Sequence, residues 1–421
     1  MSSPWSMGYS ESSMGLSDTL SGFLLIFLSS ISLCIDLPQI KWVAASIGLW
    51  VTFAPLAFWT SNPAAYSNGN LVGSLIIVSA IVFPSLLQKE NQRSPLPLGW
   101  TYNPSSWSQR IPIVSLAFLG FLIAKYMAAF QLGHIPTVWD PFFGKGTEII
   151  LTSDVSKEFP VSDAGLGAWS YLLDALSGLI GREQRWRTMP WVVILFGLMV
   201  IPPGITSITL VILQPVVVGS WCTLCLLTAV IMLLMVPPAI DEVVATVQFL
   251  NQNRKQKQSI WRAFWFGSES QQLYPDYDQS SDTIAGSHLS QQGMRKGFPV
   301  PWNLGLSAAL GIWLMVAPSV FSAQDLASDS NHFFGALIVT FAVIAMAQVA
   351  RSVRFINIIL GAVLAVGIWL VPGGSTEFRW NSLVMSVFLI FLSFPLGAIK
   401  DHFGSFDRFV HWSPFRKIKK E

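Results

Sequence analysis

Eleven apolar runs, each near the length of a bilayer-crossing helix, recur along the 421 residues: 18–35, 42–60, 71–88, 112–132, 164–181, 190–212, 218–238, 301–319, 332–349, 355–371 and 381–398. A helix needs about 20 mainly apolar residues to cross the hydrocarbon of a membrane. Only 11% of the chain is charged and 52% is hydrophobic, against about 25% charged in soluble domains. This excludes a soluble globule. The expected fold class is an all-α integral membrane protein with about eleven transmembrane helices. The 18 tryptophans suit such a chain, because indole favours the membrane interface.

Ahead of the first run, MSSPWSMGYSESSMG holds no Lys or Arg and no small-residue cleavage pattern follows, so no removable signal peptide is expected. A net charge of +2 with scattered basic residues argues against nucleic-acid binding. The same residues predict orientation, since Lys and Arg stay on the cytoplasmic side. With eleven spans, Lys41, Lys89, Arg93, Arg110, Arg182, Arg185, Arg187, the 241–300 segment, Arg351, Arg354 and the tail with Arg416, Lys417, Lys419 and Lys420 share one side. The opposite 133–163 loop is acidic, with Asp140, Glu148, Asp154, Glu158 and Asp163 against Lys145 and Lys157. The N-terminus is therefore expected outside and the C-terminus in the cytoplasm.

A G-x-W-x-x-x-A-P pattern occurs at Gly48 to Pro55 and Gly311 to Pro318, with a shorter copy from Gly367 to Pro372. Asn303 and Asn357 each stand fifteen residues before Pro318 and Pro372. The repeating unit is thus a helix pair. It resembles the SPW-repeat membrane family over roughly residues 18–88 and 301–398, with the tripeptide altered to Ala54-Pro55-Leu56 and Ala317-Pro318-Ser319. The resemblance implies architecture and carries no activity. Between the seventh and eighth runs, a polar segment rich in Gln, Ser and Asp is expected to be a mostly flexible cytoplasmic linker. Within it, Ser259 to Phe266 (SIWRAFWF) is expected to lie along the headgroups as an interfacial anchor.

Cys34, Cys222 and Cys225 are the three cysteines, too few for a disulfide framework. Two of them form Cys222-Thr223-Leu224-Cys225. Residues three apart on a helix lie about 5 to 6 Å from one another, a separation a disulfide can bridge. The pair begins the seventh span on the outer side, where free amides and the helix dipole favour a thiolate. Zinc is not expected, since a closed site wants four ligands and only His134 stands in the adjoining loop. Haem attachment would need His where Leu226 stands.

The run Gln214 to Val243 containing this pair, preceded by a span at 112–132, an outer loop from Trp139 to Ala168 and two more spans, resembles the vitamin K epoxide reductase family over about residues 112–245. The resemblance implies a four-helix bundle that passes two electrons between protein thiols and a quinone, here ubiquinone or menaquinone. It implies that Cys225 faces the quinone and Cys222 exchanges with another thiol pair, served by a thioredoxin-like extracytoplasmic protein. Two departures stand out. The family's loop cysteine pair is missing, with Thr147 about where the second would be, and Cys34 lies near the opposite membrane face. The tyrosine one turn past C-x-x-C in some members is Ala229. Ser162 falls in the region lining the family's pocket, where its hydroxyl can donate to a quinone carbonyl or cap the following helix.

Lys125 and Asp174 lie within spans, where ionisable groups are functional or else snorkel or pair across the bundle. Asp241 and Glu242 are expected at a solvated helix end.

The expected organisation is an SPW-like region at 1–111, a reductase-like bundle at 112–245, a linker at 246–300, SPW-like helices at 301–399 and a basic tail at 400–421. The function expected is that of a thiol:quinone oxidoreductase in a bacterial inner membrane. The alternative is a non-catalytic quinone- or partner-binding module, or a redox sensor. A transporter ranks last, because no pair of broken helices with facing charges occurs in two halves.

Overall fold

The computed structural model describes residues 2–34, 39–87, 96–268, 300–395, 397, 399 and 401–410. Among them the only β pairing is an isolated bridge between Trp100 and Phe403. The helices that matter here are α1 (Ser13–Cys34), α2 (Ile40–Ala57), α3 (Pro63–Ile77), α4 (Trp107–Gln131), the short α5 (Gly146–Thr152), α6 (Asp163–Leu179), α7 (Pro190–Leu213) and α8 (Thr223–Lys255). After them come α9 (Ile260–Phe266), α10 (Trp302–Val320), α11 (Asp325–Ile344), α12 (Ile356–Gly367) and α13 (Thr376–Ser393).

The chain is a multi-pass, all-helical membrane protein. Among the described residues eight helices, α1 to α4, α7, α8, α10 and α11, are long and apolar enough to cross a membrane. The other three expected spans coincide with α6, α12 and α13. Of these, α6 has 17 residues and α12 has 12, while α13 carries Glu377, Arg379 and Asn381 in its opening turns.

Two compact units divide the chain. The first comprises residues 1–93, 114–182 and 220–228; the second comprises 94–113, 183–219 and 229–421. In the first, α2 and α3 form a hairpin whose backbones approach without side chains between them. A Cβ on Gly48 would stand 2.8 Å from the Gly73 carbonyl oxygen, and one on Gly73 would stand 2.6 Å from that of Gly48. Small residues permit such close approach where lipid gives no hydrophobic drive for helices to associate. Asn62 starts α3 by accepting from the amides of Ala64 and Ala65. Thr52 of α2 takes a hydrogen bond from the Trp169 indole of α6 (3.0 Å), beside the Phe53 and Trp169 rings at 5.0 Å.

The second unit repeats the hairpin. In α10 and α11, a Cβ on Gly311 would stand 2.9 Å from the Gly335 carbonyl, and one on Gly335 would stand 2.7 Å from that of Gly311. Asn303 and Asn357, the paired asparagines of the repeat, do matching work. Asn303 donates to the Leu392 carbonyl late in α13 (2.9 Å), and Asn357 donates to the Ile338 carbonyl in α11 (3.4 Å). Each hairpin is thus tied to the other through the first turn of its leading helix. Leu314, Ile338, Leu364, Ile368, Phe378 and Leu389 fill the space between them.

Three expectations change. First, α8 runs to Lys255, ten residues into the expected linker, and α9 follows it. The helix continues because Phe249 packs on Trp186 and Ala263, while Gln248 accepts from the Trp100 indole and donates to the Phe403 carbonyl. Residues 269–299 of that linker, and 411–421 of the tail, lie outside the described residues. Second, α11 begins at Asp325 and not near 332, since Asn331 is buried against Ser382 (3.0 Å) and the turn before it is helical. Third, Asp241 and Glu242 are not solvated: both are buried. Glu242 takes a bidentate bond from Arg185 (2.6 Å on each oxygen) and a short one from the Ser105 hydroxyl, and Asp241 accepts from Tyr102 (2.6 Å).

Candidate redox site

Cys222 closes the N-terminal end of α8. Its carbonyl accepts the Leu226 amide (3.0 Å), the first bond of the helix, and its sulfur accepts the Cys225 amide (3.0 Å). That is the arrangement a serine or aspartate makes when it caps a helix, with sulfur in place of oxygen. The spacing C-x-x-C brings both sulfurs onto the first turn, and Cys222 and Cys225 form a disulfide with Cα atoms 5.3 Å apart. The two sulfurs differ in setting. Cys222 has no exposed surface, whereas Cys225 is half-buried with its sulfur 3.7 Å from Met127 Sδ of α4.

What buries Cys222 is the loop between α4 and α6. The Thr147 hydroxyl lies 3.4 Å from Cys222 Sγ and donates to Asp140 Oδ2 at 2.6 Å. Asp140 also accepts from the Thr223 hydroxyl (2.5 Å) and amide (3.3 Å), and from the amides of Phe142 (3.1 Å) and Phe143 (2.9 Å). The last two form the local turn that Asp makes readily two and three residues before its own backbone donors. Burial alone would push the Asp140 carboxyl up. The hydroxyls of Thr147 and Thr223 and the amides of Phe143 and Phe142 outweigh it and hold the group well below the ordinary carboxylate range. A fixed negative charge therefore sits beside the first turn of α8. Next to Thr147, the start of α5 is pressed onto the site: a Cβ on Gly146 would come 2.0 Å from the Trp221 carbonyl. Phe143 stacks on Trp221 at 6.3 Å.

One turn past the pair, the Thr228 hydroxyl bonds the Cys225 carbonyl (2.9 Å), and Tyr171 of α6 donates to the Thr228 carbonyl (2.6 Å). Position 229 is alanine, but a tyrosine from a different helix reaches this level. Ser162 takes the capping role: it accepts the Gly165 amide (2.9 Å) at the head of α6 and gives its proton to Gln131 Oε1 (2.5 Å). Gln131 in turn donates to Asp163 and to the Leu151 carbonyl, so it fastens α4 to the loop that follows it. Lys125 and Asp174 do not pair with each other. The Lys125 ammonium lies over the Tyr66 and Phe121 rings at 5.6 and 5.8 Å, and neither oxygen of the buried Asp174 has a partner. His134 is bonded through Nε2 to the Thr60 carbonyl (2.8 Å).

The stretch that holds this disulfide matches a known family. Residues 111–240 match the vitamin K epoxide reductase family. Residues 301–394 match the SPW repeat domain. The two matches follow one another along the chain in the order its sequence motifs suggested. No curated protein and no solved structure matches it.

Sequence reasoning reached the reductase domain through its cysteines and left out the groups around them. Asp140 was one of five loop carboxylates with no mark of its own, beyond the proline that follows it. Tyr171 and Met127 lie on other helices, and nothing in their local sequence signals the approach to Cys225.

Proposed function

We propose that the reductase-family domain is a membrane thiol:quinone oxidoreductase working through Cys222 and Cys225. The observation that carries this reading is the Cys222–Cys225 disulfide at the head of α8 in that domain. In the forward step the reduced pair gives two electrons and its two thiol protons to a quinone, forming the S–S bond and releasing a quinol. Cys225, the half-buried sulfur, suits the position facing ubiquinone or menaquinone, and the Cys225 amide on Cys222 Sγ favours a thiolate there. A thioredoxin-like extracytoplasmic protein is the proposed electron partner. The membrane is proposed to be a bacterial inner membrane, with the N-terminus outside and the C-terminus in the cytoplasm.

One observation favours the second reading, in which the disulfide is a sensor or staple and the domain only binds quinone or a partner. Cys222 is fully buried beneath Thr147 and α5, at the position from which a relay thiol would exchange. The N-terminal α2–α3 hairpin, sharing its glycine contact with α10–α11, is proposed to be a further SPW-type unit.

The test is reduction of ubiquinone and menaquinone analogues by purified protein with a dithiol donor, comparing wild type with Cys222→Ala and Cys225→Ala. Quinol formation lost in both variants supports the oxidoreductase. Absence of turnover with every quinone and donor in wild type leaves the sensor or staple.

A further inference from the structure

The loop joining α11 to α12 buries two arginines that meet no acid among the described residues. Arg351 and Arg354, in the 3-10 turn Arg351–Phe355, are 0% and 1% exposed. Among the described residues neither has a carboxylate within ion-pair distance. Arg354 donates to the Ser393 carbonyl (3.2 Å) at the end of α13 and to the Arg351 carbonyl (2.8 Å), with its guanidinium 4.1 Å from the Phe355 ring centroid. Arg351 gives one bond, to the Met346 carbonyl (3.3 Å) past the end of α11, and its Nε and Nη1 have no partner. Gly397 stands beside that Nη1 with no side chain between: a Cβ there would lie 3.9 Å away.

The Asn303 amide adds two more donor contacts at the same end of α13, to the carbonyls of Leu392 and Pro395. Burial pushes Arg351 down to about 10, with the charge of Arg354 adding to it, and burial alone pushes Arg354 down to about 10. Both therefore stay charged at neutral pH. An uncompensated buried charge is among the costliest features a fold can hold, and here two stand three residues apart.

We propose that Arg351, Arg354 and the adjoining ends of α11 and α13 form a binding site for a phosphate group, from a phospholipid headgroup or a soluble phosphate compound. The guanidinium forks match phosphate oxygens two at a time, and the site lies where α11 and α13 end and α12 begins. The competing account makes the arginines simple caps for helix-end carbonyls. The two accounts separate without ligand: caps stabilise the bare protein, whereas an unfilled cation pair destabilises it.

The full chain, in neutral detergent, is assayed by thermal unfolding with phosphatidylglycerol, with phosphatidylcholine, with inorganic phosphate, and with sodium chloride at matched ionic strength. Wild type is expected to gain about 3 °C or more at saturation with at least one phosphate compound and nothing with chloride. A response to phosphatidylglycerol alone assigns the site to an anionic lipid, a response to both lipids to phospholipid headgroups generally, and a response including inorganic phosphate to the phosphate group itself. The double variant Arg351→Gln/Arg354→Gln is expected to unfold at or above the wild-type midpoint without ligand and to lose the response. Amide exchange in wild type gives a reading that needs no variant: ligand should slow exchange at least fivefold across residues 345–356. A ligand-free double variant clearly below wild type, a response kept in that variant, or no response to any phosphate compound overturns the proposal.

Discussion

The Thr147 hydroxyl is 3.4 Å from Cys222 Sγ and 2.6 Å from Asp140 Oδ2, so one side chain touches both the buried sulfur of the disulfide and the charge that flanks it. A loop residue at this position meets Cys222 directly. A thiol there would sit within exchange reach.

Thr147→Cys should therefore divert the disulfide. We expect a bond between position 147 and Cys222 in a substantial fraction of the protein, with Cys225 released as a free thiol. Peptide mapping under non-reducing conditions, with alkylation of Cys225, reads this directly. Finding only the Cys222–Cys225 bond after oxidation in redox buffer would rule out that reach.

Asp140→Asn removes the charge while keeping most of the shape. Losing a neighbouring negative charge favours the thiolate, so Cys222 in the reduced protein should be alkylated faster at a given pH. Asp140→Ala also deletes the acceptor for five donors and should cost about 1 to 3 kcal/mol. The pH dependence of alkylation of Cys222 tests the first, and thermal unfolding tests the second; an unchanged alkylation profile would remove Asp140 from the chemistry.

The same carboxylate gives stability a direction in pH. Its proton affinity is depressed in the folded protein, so its contribution is complete above the ordinary carboxylate range, about pH 4. That contribution is lost as pH falls below this value toward the lower folded one. The difference in unfolding midpoint between wild type and Asp140→Asn should hold constant from about pH 6 to 4 and shrink below that. A gap that widens on acidification contradicts the assignment.

Arg185 and Glu242 are fully buried partners. Glu242→Gln leaves the guanidinium unbalanced and should cost about 3 to 5 kcal/mol, while Arg185→Leu/Glu242→Leu should recover much of it. Denaturation in mild detergent distinguishes the two; a double variant as weak as the single one would show that Ser105 and the rest of the network carry the stability instead.

Gly335→Ala places a methyl group 2.7 Å from both the Gly311 carbonyl and Met315 Cγ. We expect a loss of about 1 to 3 kcal/mol, and a similar loss for Gly73→Ala at 2.5 Å from Thr52 Cγ2. Ala at Gly367, which has nothing within 4 Å of such a methyl, is the control and should change little.

These positions also show how far the sequence could be read. The helices were legible because the bilayer demands one physical property, a long apolar run, and the chain displays it locally. Cys222 and Cys225 were legible because their spacing is itself the geometry of the bond. Gly48 and Gly311 stood out in a repeated pattern, but their partners Gly73 and Gly335 lie in unmarked runs, since a backbone contact leaves no pattern in the second helix. Asp241 and Glu242 read as a solvated helix end because nothing nearby in sequence announces Tyr102, Ser105 and Arg185, which come from distant segments. Ser162 offered two readings of one hydroxyl; it accepts the Gly165 amide as a cap and donates to Gln131 Oε1, a side chain that the local sequence does not announce.

Cys222 does two jobs with one atom: its sulfur is both half of the disulfide and the acceptor that finishes the first turn of α8. Any reagent that modifies that sulfur also alters the partner of the Cys225 amide. Reduction changes that acceptor from a disulfide sulfur to a thiol or thiolate, so the exchange rate of one backbone proton becomes a gauge of the state of the pair.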